Sequence, residues 1–109
     1  MGLDITFTHR KKLVCPKCGE IVGHTDVRCA CSSGRVWYEI LEQLGYYVPY
    51  DKRTEENDWY SKDMVLTPAQ AKEVYHFIGR KDVYCRDDVC GLIATALFEN
   101  DCVVINANW

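Results

Sequence analysis

The strongest constraint on this chain is the run Cys15-Pro16-Lys17-Cys18-Gly19, followed by Cys29-Ala30-Cys31, which gathers four sulfurs within seventeen residues. In a Cys-x-x-Cys turn the backbone folds back so that two thiolates face one tetrahedral ion, and a following glycine supplies the positive φ that such a turn favours. A soft, redox-silent, all-thiolate set suits Zn²⁺, so the spacing predicts a structural zinc held by Cys15, Cys18, Cys29 and Cys31. Four protein ligands would leave no open coordination position for catalysis. The second pair departs from the zinc-ribbon pattern, because only ten residues separate Cys18 from Cys29 and the repeat is Cys-x-Cys. His24 lies between the pairs and is an alternative ligand to either later cysteine.

A chain of 109 residues with 48% hydrophobic content suffices for one domain with a modest core, residues 1–109, within which 10–34 form the zinc-knuckle subregion. Seven cysteines, an odd number, together with a Cys-x-x-Cys pair, point to thiols in a reducing cytosol, the cytoplasm of a bacterial host on this reading, rather than to a disulfide framework. Met1 to Thr8 carries Asp4 and lacks an apolar run, so no signal peptide is expected, and no segment reaches the ~20 apolar residues of a membrane span.

The formal charge of −3 is unevenly distributed. Residues 1–35 carry six Lys/Arg against three Asp/Glu, residues 36–66 three against seven, and residues 67–109 four against six. The acidic middle argues against general polyanion binding, which relies on cations that neutralise phosphates. A nucleic-acid-binding zinc module of the transcriptional-regulator type is the alternative function, with Arg10, Lys11, Lys12, Lys17 and Arg28 on phosphates and aromatics stacked on bases.

Leu3, Ile5 and Phe7 alternate with Asp4, Thr6 and Thr8, the period of a half-buried strand, after which His9 to Lys12 are expected to turn the chain. Leu13-Val14 and Glu20 to His24 would flank the knuckle as a short hairpin, and Ser32-Ser33-Gly34 offer caps for a helix immediately C-terminal to them. Val36, Trp37, Ile40, Leu41 and Leu44 predict that helix over 35–44, ending at Gly45. Thr67-Pro68-Ala69-Gln70 reads as a capping box opening a second helix, buried through Ala71, Val74 and Ile78. A third helix is expected over about 87–99, started by Asp87 or Asp88, and Cys102 to Ile105 form an inner strand beside the first one. The predicted fold class is α+β: a small antiparallel sheet of N-terminal strand, knuckle hairpin and C-terminal strand, with three helices on one face.

Residues 46–63 form a long connection dense in aromatics and charges. Connections of this length are uncommon in compact domains unless they function, and Tyr, Trp and Arg dominate binding hot spots. The expected partner-binding residues are Tyr47, Tyr50, Asp51, Arg53, Glu55, Glu56, Asp58, Trp59 and Tyr60; the competing reading is that Tyr46, Tyr47 and Trp59 cover the core. Cys85, Cys90 and Cys102 read as small buried hydrophobes, and His76 as a surface or boundary residue. No nucleophile–base arrangement, His-Glu-x-x-His or phosphate-cradling glycine loop is present, so no catalytic residue is assigned and a non-enzyme is expected.

Two stretches carry a resemblance: Trp37 to Met64, with its Gly-Tyr-Tyr-Val-Pro-Tyr-Asp core, and Gly91-Leu92-Ile93-Ala94 through Val103-Val104-Ile105-Asn106-Ala107-Asn108-Trp109. Together they resemble small uncharacterised proteins encoded by phages and prophages of gut bacteria. The resemblance implies a setting in which small acidic proteins block host enzymes, as anti-CRISPR proteins do. On that basis the expected function is a phage-encoded inhibitor or adaptor engaging a host nuclease or other nucleic-acid enzyme through the 46–63 loop.

Overall fold

The computed structural model describes residues 3–109. Four strands, β1 (Asp4–Val14), β2 (Ile21–Ser33), β3 (Met64–Leu66) and β4 (Cys102–Asn108), are joined by connections that include three helices, α1 (Trp37–Gln43), α2 (Pro68–Gly79) and α3 (Arg86–Phe98). All pairings are antiparallel and the spatial order is β2-β1-β4-β3, an α+β arrangement with the N- and C-terminal strands side by side at its centre.

The period-two pattern of β1 decides which face is which. Leu3, Ile5, Phe7 and His9 are buried, and opposite them on β4 lie Ala107, Ile105 and Val103, also buried. The helices cover this face. Trp37 of α1 is fully buried against Phe7, ring centroids 5.3 Å apart, and its indole N–H donates to Ser32 Oγ at 3.0 Å. Ile40, Leu41, Ala71, Val74, Ile78, Val89, Leu92, Ile93 and Ala96 complete the layer, the residues that helical spacing selects. The other face presents Thr6, Thr8, Arg10, Cys29, Cys31 and Asn106.

Helix α2 begins as its sequence dictates: Thr67 Oγ1 accepts the Gln70 N–H and Gln70 Oε1 accepts the Thr67 N–H, with Pro68 at the first helical position. The start of α3 differs from expectation, since Cys85, in the left-handed region at φ 56°, is its N-cap and Asp87 and Asp88 sit in the first turn, where carboxylates favour the helix dipole. Ser32 and Ser33 are not caps but the end of β2, and α1 begins with no side-chain cap.

Two further departures concern the sheet. His9 to Lys12 do not turn the chain; β1 runs straight through them to Val14, paired with β2 along its whole length. Met64 to Leu66, assigned to no element by the sequence pattern, add a short fourth strand on β4.

Tyr46, fully buried, joins the loop to the sheet. Its hydroxyl donates to the Lys62 carbonyl at 2.7 Å and accepts the Ala107 N–H at 2.8 Å. Burial pushes the phenol above its ordinary pKa. Tyr46→Phe leaves the buried Ala107 N–H without its acceptor, so urea denaturation should show a loss of about 1–3 kcal/mol, the usual cost of an orphaned buried donor.

Candidate functional site

Pairing of β1 with β4 ends at Arg10↔Cys102, whereas pairing of β1 with β2 continues to Val14↔Ile21. Beyond Arg10 the two strands therefore continue without β4 as a two-stranded ribbon, which still touches the body at Lys12. Four further residues at about 3.3 Å each, plus the knuckle, carry its tip roughly 15 Å past the last β4 contact. This arm accounts for the elongated outline, 50 Å by 33 Å by 21 Å.

The arm is anchored at its root. His9, on the buried face of β1, has its Nε2 2.7 Å from Asp101 Oδ2 and 3.6 Å from Glu99 Oε2, both in the turn between α3 and β4. The His9 hydrogen bond, helped by the Lys12 backbone amide, holds the Asp101 carboxyl below the ordinary carboxylate range. On the opposite face Arg10 Nε donates to Asp26 Oδ1 across the ribbon at 2.8 Å. Sequence reasoning missed the His9–Asp101 pair, although His9 continues the odd-numbered phase of Leu3, Ile5 and Phe7.

Two register irregularities shape the ribbon: His9 pairs with Arg28 but Arg10 with Asp26, and Leu13 pairs with Gly23 but Val14 with Ile21. The extra residues of β2 are Val27 and Val22. Each is a bulge, which turns a side chain out of the ladder, and they are 56% and 68% exposed. Leu13, Val14 and Ile21 are about half exposed. Leu13, Val14, Ile21 and Val22 thus face solvent on the ribbon, and Val27 does so at its root.

At the tip the Cys-x-x-Cys turn has the expected form. Gly19 adopts φ 73°, its N–H donates to the Cys15 carbonyl at 2.9 Å, and the Cys15 N–H donates to the Glu20 carbonyl at 2.8 Å. Hydrogen bonds from the backbone amides of Cys18 and Lys17, and from the Cys18 thiol, lower the Cys15 pKa.

The four expected zinc ligands do not come together. Cys29 stands opposite Thr8 and Cys31 opposite Thr6, on the outer face of the sheet proper. Cys29 lies eight residue steps along β2 from Ile21 at the tip, roughly 25 Å at the usual rise. A ribbon in register does not fold that distance back, so Cys29 and Cys31 stand apart from the Cys15–Cys18 turn. His24, opposite Lys12, belongs to the ribbon and not to the turn. Among the described residues, the one trio of ligand atoms within 4.8 Å of one another is His9, Glu99 and Asp101, so the Cys15–Cys18 pair has no third His, Cys, Asp or Glu in reach.

The 46–63 loop is also divided. Tyr47 and Tyr60 pack edge-on to Trp109, centroids 5.1 and 5.0 Å apart, and Trp59 stacks at 6.2 Å on Tyr46. Arg53 lies over Tyr47 and Trp109 while its guanidinium donates to the Val48 carbonyl. These residues form an aromatic cluster around Trp109 with Tyr60 exposed at its edge, and the Tyr60 N–H donates to Asp58 Oδ1. Tyr50, 87% exposed, Asp51, Glu55 and Glu56 remain at the surface. The loop packs at the Asp4 end of the sheet, opposite the arm tip.

Of the other cysteines, Cys85, Cys90 and Cys102 are half-buried, and burial raises the Cys90 pKa. His76 is exposed. Among the described residues, no helix is long and apolar enough to cross a membrane. Comparison with protein-family models, curated proteins and solved structures returned no match.

This geometry sets two outcomes. Alkylation of the reduced, folded chain at neutral pH, read by peptide mass spectrometry, should modify Cys15 before Cys90, because lowering a thiol pKa enlarges its thiolate fraction and raising it does the reverse. The depressed Asp101 pKa gives stability that is present above the unfolded-state value, ~3.9, and lost as pH falls through the lower folded-state value. Asp101→Asn should therefore flatten the acid limb of a stability–pH profile below about pH 4.

Proposed function

We propose that this chain is a non-enzymatic protein-interaction module whose contact element is the β1–β2 arm. The observation that carries this reading is the exposure of Leu13, Val14, Ile21 and Val22 together on a ribbon that projects beyond the body, with Val27 exposed at its root. Apolar side chains clustered on an exposed element mark protein contacts, since burial on binding removes them from water. The anchoring of the arm by His9, Asp101, Arg10 and Asp26 favours the same role, because a preordered element loses little entropy on docking. The likeness to phage-encoded proteins favours a partner among host nucleic-acid enzymes. The exposed Asp51, Glu55 and Glu56 supply negative charge that suits a basic channel on such a partner.

A second reading rests on the charge of the arm itself. Lys11, Lys17 and Arg28 are exposed there, and a two-stranded ribbon fits the major groove of duplex DNA.

Affinity capture from a bacterial lysate, with and without nuclease, distinguishes the two. The wild-type chain should retain a stoichiometric protein after nuclease treatment, and Val22→Asp with Val27→Asp should weaken that capture at least about tenfold, ~1.4 kcal/mol, at unchanged circular dichroism. Undiminished capture by the arm variant would overturn the arm as contact element. Recovery of nucleic acid alone, falling steeply with salt, would establish the second reading.

A further inference from the structure

The Cys15–Cys18 turn is half of a tetrahedral thiolate site, and its position decides where the other half must come from. A structural Zn²⁺ takes four ligands. Cys29 and Cys31 are held on the body of the sheet by their pairing with Thr8 and Thr6, and no other His, Cys, Asp or Glu of the described residues reaches the pair. The turn is nevertheless built as a ligand loop, with Gly19 at positive φ and the Cys15 carbonyl and amide both engaged, so that its two sulfurs lie at the apex of the arm.

We propose that two copies of this chain meet tip to tip and share one Zn²⁺ through Cys15 and Cys18 of each. The site is incomplete in one chain and complete in two, because two such turns supply four thiolates in the arrangement that zinc prefers. The surroundings suit this occupant. Val14 and Ile21, paired across the ribbon next to the turn, and Val22 beside them are exposed in one chain and become covered when a second tip approaches. Four thiolates around one Zn²⁺ leave a charge of −2, and the exposed Lys17 within the turn of each copy adds positive charge next to it. The contact is too small for a metal-free dimer, since stable interfaces bury well over ~1,000 Å² and the tip is a two-stranded ribbon. Zinc binding and association are therefore one event.

This inference rests on the arm being an interaction element, and names a second copy as its partner. The test titrates the full chain, reduced and stripped of metal, with Zn²⁺ while molar mass is followed by light scattering. The mass should double from 12.6 kDa and reach its plateau at one zinc per two chains, and a chelator should return it to the starting value. Cys18→Ser should abolish both zinc uptake and doubling, while Cys29→Ser with Cys31→Ser should leave both unchanged. Cobalt(II) in place of zinc should give the visible bands of a tetrahedral thiolate site at the same stoichiometry. A monomer that binds one zinc per chain, a dimer indifferent to chelator, no zinc uptake, or uptake that survives Cys18→Ser would each overturn the shared site. If the chain stays monomeric with zinc while Val22→Asp still loses a host partner, the shared site fails and the interaction-module reading stands.

Discussion

Everything in this molecule is referred to β1. It is paired on both sides, with β2 along its full length and with β4 as far as Arg10, and its inward side chains Ile5, Phe7 and His9 are the floor on which the helices rest. A central strand that outlasts one neighbour but not the other has a necessary consequence: the unmatched portion leaves the sheet with the partner it still has. The arm is thus a product of unequal strand lengths, seven residues in β4 against eleven in β1 and thirteen in β2. The His9–Asp101 bond closes the junction where the shorter partner stops.

That division separates two kinds of stability. The body is held by burial of Trp37, Phe7, Tyr46 and the helix stripes, which needs no metal. The arm has no core and depends on ladder hydrogen bonds, the Arg10–Asp26 pair and its anchored root. The knuckle therefore lies where it cannot staple the fold, unlike the zinc of small domains that unfold without it.

How much was legible in the sequence depended on how local each interaction is. The core phase of β1, the capping box of α2 and the positive-φ glycine of the knuckle are set by residues within a few positions of one another, and the pattern reads them correctly. The central place of β4 was legible for a different reason, since the β-branched run Val103-Val104-Ile105 suits an inner strand. The arm was hidden because His9-Arg10-Lys11-Lys12 resembles a polar turn; the carboxylates that balance His9 and Arg10 lie 92 and 16 residues away. The scattering of the cysteines comes from hairpin register, which turns a spacing of ten residues into a long distance once both strands are extended. The aromatic loop looked free because its partner, Trp109, is the last residue of the chain. Three-residue β3 has no signal of its own and exists through its pairing with Val103 to Ile105.

The outer edge of β2 carries a further consequence. Thirteen residues of strand with one side unpaired form a template on which another strand can add, the first step toward stacked aggregates. The bulges at Val22 and Val27 interrupt that template twice. Each sets the backbone donors and acceptors out of register with any straight incoming strand, and Asp26 and Arg28 flank one of them with charge. The same irregularities that push two valines into solvent thus work against open-ended strand addition along the ribbon.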